Sequence, residues 1–242
     1  MTSFIITWLN GVSALSIVIV SWIFAIWCVY QYRKTKNNIF LNGLLLSLAV
    51  AFGWTGITLS FLSVVIYGSN LPGLKPIVNA FSYSTIPFGS LAIIYVSWDV
   101  AASPRSKKIM LFGFIVFSIL YYIVLFMTFD EAIACPDVPD GEIYDDWIVP
   151  GSFFYYLVWA GVGVVSTISF IGFIKLLKAS EGDIKKRALY IVLAAPIFGT
   201  CILLDTVIFM EPHVNFLFIP RFLMNLGGFL IYLGFRPPKS DV

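Results

Sequence analysis

Residues 188–235 read ALYIVLAAPIFGTCILLDTVIFM, then EPHVN, then FLFIPRFLMNLGGFLIYLGF. Ala188 to Met210 and Phe216 to Phe235 are each apolar over about 20 residues, the length at which an α-helix rising 1.5 Å per residue crosses a hydrocarbon core of about 30 Å. The connection Glu211-Pro212-His213-Val214-Asn215 is polar and too short to do more than reverse the chain, which makes the two helices antiparallel neighbours. Two charges interrupt them. Asp205 lies eight positions before the His213 apex and Arg221 eight after it, so both sit at one depth, roughly 7 Å below the ends of their helices.

An unpaired Asp or Arg at the centre of a membrane helix costs about 3 kcal/mol on insertion scales. The mirror placement therefore predicts a facing ion pair. From Arg221, steps of four, seven and eleven reach Asn225, Gly228 and Tyr232, a polar and small stripe that should turn away from lipid. Two roles are open for the pair: a lock between two helices, or the floor of a ligand or ion site.

Working outward, the whole chain of 242 residues is 60% hydrophobic, 17% aromatic and 12% charged, a composition that fits a polytopic membrane protein and not a soluble globule. Apolar segments of spanning length recur seven times, at about 4–32, 39–67, 76–100, 109–129, 149–177, 188–210 and 216–235. Nothing marks a second domain. The fold class expected is an all-α integral membrane protein, a bundle of seven transmembrane helices in one domain over 1–242.

Charge segregation orients it. Arg33, Lys34, Lys36, Arg105, Lys107, Lys108, Lys175, Lys178, Lys185, Lys186, Arg187, Arg236 and Lys239 fall on alternate connections and the tail, while the opposite connections carry Lys75 and eight of the thirteen acids. The positive-inside rule then places the N-terminus outside and the C-terminus in the cytoplasm of a multi-pass cell-membrane protein. No basic n-region precedes the first apolar run, so the first helix is expected to insert and stay. Cys28, Cys135 and Cys201 lie at three different depths and define no disulfide framework; Cys135 alone faces the oxidising side, free or paired between molecules.

In order, helix one begins either as a tilted span or as a surface segment before Asn10-Gly11. In the second span Ala49, Gly53, Gly56 and Ser60 form a small-residue face for a close neighbour, and Thr55, Thr58 and Ser63 are expected to bond their own carbonyls one turn back. In the third, Pro87 frees the carbonyl of Tyr83, which needs a serine, threonine or water; Ser84 and Thr85 stand beside it, and a polar cavity is expected there. Asp99 reads as interfacial, exposed or paired with Arg105. The fourth span carries no ionisable group and is expected to face lipid or another subunit. The loop 130–147 has seven acids in eighteen residues; their spacing does not match a calcium loop, and a solvated acidic lid is expected. The fifth span opens with Phe153, Phe154, Tyr155, Tyr156 and Trp159, interface anchors or pocket walls, and then offers Ala160, Gly163 and Thr167 as a small face. Pro196 kinks the sixth.

Several classes are excluded. A retinal protein needs a lysine in its last helix, and none lies between Lys186 and Lys239. Trp98-Asp99-Val100 lacks the arginine of G-protein-coupled receptors, and Asn225-Leu226-Gly227-Gly228 is not their Asn-Pro-x-x-Tyr. A single histidine, His213, rules out paired-imidazole haem, a His-rich zinc site and most nucleophile-base arrangements, so no enzyme activity, metal or other cofactor is expected, and no nucleic acid.

On Tyr32-Arg33-Lys34-Thr35-Lys36 after the first helix and Gly43-Leu44-Leu45-Leu46 opening the second, the layout resembles the seven-helix input domains of prokaryotic histidine kinases. The resemblance covers the membrane part alone; with seven residues after Phe235, it implies that any signal goes to a separate cytoplasmic protein. The expectation is a sensor or receptor binding a small or lipid-like ligand in an outer cavity among the third, fifth, sixth and seventh spans, through Asp205, Arg221, Asn225, Ser84, Thr85, Tyr155 and Trp159. The alternatives are a small transporter or proton or cation pathway using Asp205 and Arg221, and a structural subunit of a membrane complex. A homo-oligomer fits any of the three.

Overall fold

The structure, a computed structural model, describes residues 2–99, 103–205 and 216–236. The end of the sixth span after Asp205, the turn with His213 and the tail with Lys239 lie outside the described residues, as does the side chain of Asp99. Seven helical segments are long and apolar enough to cross a membrane, as the hydropathy pattern predicts.

They are α1 (Thr2–Thr35), α2 (Asn38–Tyr67), the pair α3 (Leu74–Ser84) and α4 (Ile86–Asp99), α5 (Pro104–Met127), α7 (Phe153–Ala179), α8 (Gly182–Leu203) and α9 (Phe218–Phe235). Between α5 and α7 stand a single turn, α6 (Phe129–Ala132), and two short strands, β1 (Ile133–Ala134) and β2 (Trp147–Ile148), paired antiparallel. The helix starts obey local chemistry. The side chains of Asn37, Ser103 and Ser152 accept hydrogen bonds from the first-turn amides of α2, α5 and α7, each capping groups that have no partner inside the helix. The Ser152 cap explains why α7 starts at Phe153 and not at Val149. Helix α8 starts at Gly182, six residues before the apolar run, because its first turn is charged and held by an Asp183–Arg187 bridge one turn apart.

Six spans form a ring in which α1 packs on α2, α2 on α3 and α4, α4 on α7, α7 on α8, α8 on α9, and α9 back on α1. Helix α5 stands outside the ring, against α4 and α7. Its outer face exposes Phe112, Phe126 and Met127, the last at 80%, which is the face the uniformly apolar fourth span was expected to present.

Close packing explains several glycines. The α2 small face seats α3: a Cβ at Gly56 would lie 2.5 Å from Val78 Cα. Helix α1 runs unbroken through Asn10-Gly11 because Gly11 leaves room for the ring of Phe61, which a Cβ would meet at 2.0 Å. The small face expected on the fifth span is not where α7 is buried. Ala160 and Thr167 are exposed, and a Cβ at Gly163 would meet nothing within 4 Å. Helix α7 buries Phe154, Val158, Val162, Val165, Ser169, Gly172 and Phe173 instead, the face on which Gly172 lets its backbone approach Ser97 of α4, whose carbonyl oxygen a Cβ would meet at 2.6 Å.

The third span is two helices, not one, and its break is satisfied in an unexpected way. Tyr121 Oη of α5 donates to the Tyr83 carbonyl at 2.8 Å, and Tyr122 Oη donates to the Ser84 carbonyl at 2.6 Å. The carbonyl freed by Pro87 thus takes a tyrosine from the neighbouring helix, not a serine, threonine or water. Thr85 Oγ1 turns the other way and donates to the Ala49 carbonyl at 2.9 Å. Of the three α2 hydroxyls, Thr55 bonds back to Ala51 as expected. Ser63 instead stitches the α2–α3 turn, donating to the Ser69 carbonyl and accepting from the Leu71 amide, and Thr58 Oγ1 is buried without a partner.

Candidate functional site

The loop between α5 and α7 is not a solvated lid. Asp137 behaves as one, exposed and bridged to Lys75 at 2.8 Å, but the end of the loop folds into the mouth of the ring. Ser60 holds it there: its hydroxyl bonds the Asn70 side chain and accepts from the Tyr144 amide, while Asn70 Nδ2 donates to the Glu142 carbonyl. Asp145 and Asp146 are left 7% and 6% exposed. The physical reason is the β1–β2 pairing, which returns the chain to Ile133 and draws the residues just before Trp147 over the helix ends.

The facing pair exists. Arg221 Nε donates to Asp205 Oδ1 at 2.8 Å, with Arg221 1% exposed. It is one edge of a larger cluster. Arg221 Nη2 donates to Asp145 Oδ1 at 2.9 Å, and Trp54 Nε1 donates to Asp205 Oδ2 at 3.1 Å. Asp146 Oδ1 accepts from Ser82 Oγ at 2.9 Å, and its Oδ2 is buried with no partner. Burial first, and the Asp145 charge second, push the Asp146 carboxyl up to about 8; the Ser82 hydroxyl and Arg221 oppose that without cancelling it. Three buried acids therefore crowd one guanidinium that bonds only two of them, and the proton kept by Asp146 relieves part of the excess.

A cavity of about 150 Å³ runs from this cluster into the ring. Its walls come from α2 (Ala49, Gly53, Trp54), from the α3–α4 break, from α7 (Val162, Val165, Ser169) and from α8 (Ala195, Gly199), with Ile231 contributed by α9. The ionisable side chains among them are Tyr83, Asp146 and Asp205, all at the acidic end. Two expectations are corrected. The second span, not the seventh, is a main wall, because α9 turns its stripe to α1; and Asp205 caps the cavity at its acidic end instead of flooring it, because the void extends toward the basic end of the helices.

The residues singled out from the sequence separate accordingly. Asp205 and Thr85 line the cavity. Arg221 lies behind Asp205. Asn225 Nδ2 donates to Ser16 Oγ at 2.7 Å, Gly228 faces Val20, and Tyr232 packs on Phe24 and Trp27, so the stripe does turn inward, but onto α1. Ser84 gives its carbonyl to Tyr122. Tyr155 is half-buried on the Tyr83–Phe154 cluster, and Trp159 is exposed on the outside of α7. Cys135 is buried with its thiol pushed up to about 12 by burial, which leaves no exposed sulfur for pairing between molecules.

Asp145, Asp146, Trp54 and Ser82 escape the sequence reading. A signal for Trp54 was present: an indole inside a small-residue helix far from both interfaces needs an acceptor for its N–H. For Asp145 and Asp146 the signal was their position against the returning apolar run at Trp147.

Comparison with protein-family models, with curated proteins and with solved structures finds no match.

Proposed function

We propose that the protein is a multi-pass cell-membrane receptor, N-terminus outside and C-terminus in the cytoplasm, that takes a small or lipid-like ligand in the cavity beneath Asp146 and Asp205. The observation that carries this reading is the cavity itself: a void inside the ring, apolar along its length, with its ionisable side chains at one end. Such a pocket, with a few placed polar groups on apolar walls, is the usual setting for a small ligand. Its walls include Thr85 at the α3–α4 break, Ala195 beside the Pro196 that α8 carries inside it, and Asp205, which with Leu204 forms a π-type turn, so occupancy can be converted into helix movement at places where the hydrogen-bond ladder is weakened. The basic residues at the other end offer a docking face for a separate cytoplasmic partner.

Native mass spectrometry of the protein released from lipid, together with a thermal-shift screen of small apolar compounds, tests the reading. Stabilisation that is lost in Gly53→Leu, which fills the cavity from α2, is the expected result; no stabilisation by any compound, with wild type and Gly53→Leu alike, would overturn it.

A proton or cation pathway is favoured by one observation, the three acids around a single arginine. The walls beyond the acidic end carry no ionisable side chain to continue such a path. Flux into proteoliposomes that disappears in Asp205→Asn would reverse the ranking.

A further inference from the structure

The cluster at the mouth of the cavity is unequal in a way that specifies a ligand. Asp205 is spent: Oδ1 is taken by Arg221 and Oδ2 by Trp54. Asp145 Oδ1 is also taken by Arg221; its Oδ2 is buried without a partner, but Asp145 does not line the cavity. Asp146 does line it, is more than nine-tenths buried, and keeps Oδ2 without any partner. Among the described residues no further cation reaches the group: Arg221 gives Nε and Nη2 to the other two acids and keeps a buried, unpartnered Nη1 outside the cavity lining, and Lys75 is held at the surface by Asp137. A buried carboxyl oxygen of this kind is costly while it makes no hydrogen bond. At the far end of the void the polar side chains are the uncharged hydroxyls of Ser90, Ser166 and Ser169, so the charged head of a ligand belongs at Asp146 and its body along the apolar walls of Ile57, Val162 and Ile202.

We propose that the ligand class is a small organic ammonium ion: one primary or secondary ammonium head that donates to Asp146 Oδ2, on a compact apolar body. The size follows from the void. A cavity of about 150 Å³ is the size that takes a benzene ring in a protein core, so the body has about six to nine non-hydrogen atoms. Binding of the ammonium form displaces the proton that Asp146 holds in the empty protein, and that proton leaves to solvent. The charges facing Asp146 are Asp145 from its own loop, Asp205 from α8 and Arg221 from α9, with Tyr83 and Ser82 from α3. Together they leave the site net negative once Asp146 ionises, which an ammonium offsets and a carboxylate worsens.

This proposal rests on the receptor reading and deepens it. The test uses the full-length protein in lipid nanodiscs and three probes of matched shape: phenethylamine, its neutral analogue propylbenzene and the anion 3-phenylpropionate, with binding read by native mass spectrometry and thermal shift. Phenethylamine is expected to bind at least tenfold tighter than propylbenzene, with no binding of the anion, and to tighten as pH rises from 6 toward 8 while propylbenzene binding does not move. Asp146→Asn should remove the preference and keep propylbenzene; the probe series on the unmodified protein carries the test alone if that variant does not fold. Equal binding of amine and hydrocarbon would overturn the ammonium class and leave the receptor reading standing. Absence of binding by all three overturns the ammonium proposal, and the receptor reading falls with it only if the wider compound screen is blank as well.

Discussion

Removing the guanidinium of Arg221 should be far more damaging than removing either acid it holds, and the structure sets the size of the difference. In Arg221→Gln the carboxylates of Asp205 and Asp145 lose contacts of 2.8 and 2.9 Å and stay buried with no cation. Breaking a buried pair from one side costs about 3–5 kcal/mol, and here two anions are stranded. In Asp205→Asn the amide still accepts from Arg221, and Asp145 keeps the arginine neutralised, so the loss is about that of one charged hydrogen bond, roughly 1.5–3 kcal/mol. Taken at the middle of those ranges, the two single changes should differ by about 1.8 kcal/mol, more than a factor of ten in the unfolding equilibrium. The double variant Asp205→Asn with Arg221→Gln should recover only part of the loss, since Asp145 remains unpaired. Adding Asp145→Asn should recover most of it, a coupling that a mutant cycle isolates. Reversible unfolding in mixed micelles, titrated with SDS, measures all four. Equal losses in the two single variants, with full recovery in the double, would refute the three-residue cluster and reduce it to a two-helix lock.

Stability should fall as pH rises from about 4 to about 8, because over that window the folded protein holds the Asp146 proton that the unfolded chain releases; below it both states are protonated and no cost is present. Asp146→Asn should flatten that slope in unfolding titrations run at pH 5, 6, 7 and 8, and an unchanged slope would assign the dependence elsewhere. Tyr121→Phe leaves the buried Tyr83 carbonyl without its donor and should cost about 1–3 kcal/mol, against about 1 kcal/mol for the half-buried Tyr122; equal, negligible effects in the same titration would contradict the tyrosine-satisfied break. Gly56→Leu drives a side chain into the backbone at Val78 and should lower folded yield sharply, while Gly163→Leu points into open space and should be neutral by size-exclusion profile.

The spans were legible because membrane insertion leaves a signal of length and apolarity that no packing detail can disguise. The facing pair was legible for a related reason: a charge in hydrocarbon must be answered, and the short turn left Asp205 one antiparallel neighbour at its own depth. Pro87 likewise announced a break. What answered the break was not legible, because Tyr121 and Tyr122 sit in a helix whose sequence reads as uniform lipid-facing apolarity, and only the position of α5 beside α4 turns their hydroxyls toward the freed carbonyls. The face of α7 was misread on the same ground. Ala160, Gly163 and Thr167 are spaced as a packing seam, yet spacing fixes only which residues share a face, not which face meets the ring.

The acidic loop carries the deeper reason. Seven acids in eighteen residues describe a solvated segment when counted together, but solvation is a property of each carboxylate, and Asp145 and Asp146 differ from Asp137 only in where two strands of two residues each return the chain. Pairing Ile133 with Ile148 places the next acids upstream of Trp147 over the mouth of the ring, where the guanidinium of Arg221 offsets the burial of one and leaves the other to retain its proton. The arginine that the sequence seemed to assign to Asp205 is therefore shared, and the carboxylate that remains unshared is the one facing the void. An ion pair read from two helices alone accounts for the lock. It takes the third segment, brought in by backbone pairing and not by charge, to convert the lock into a cavity with an acid at its head.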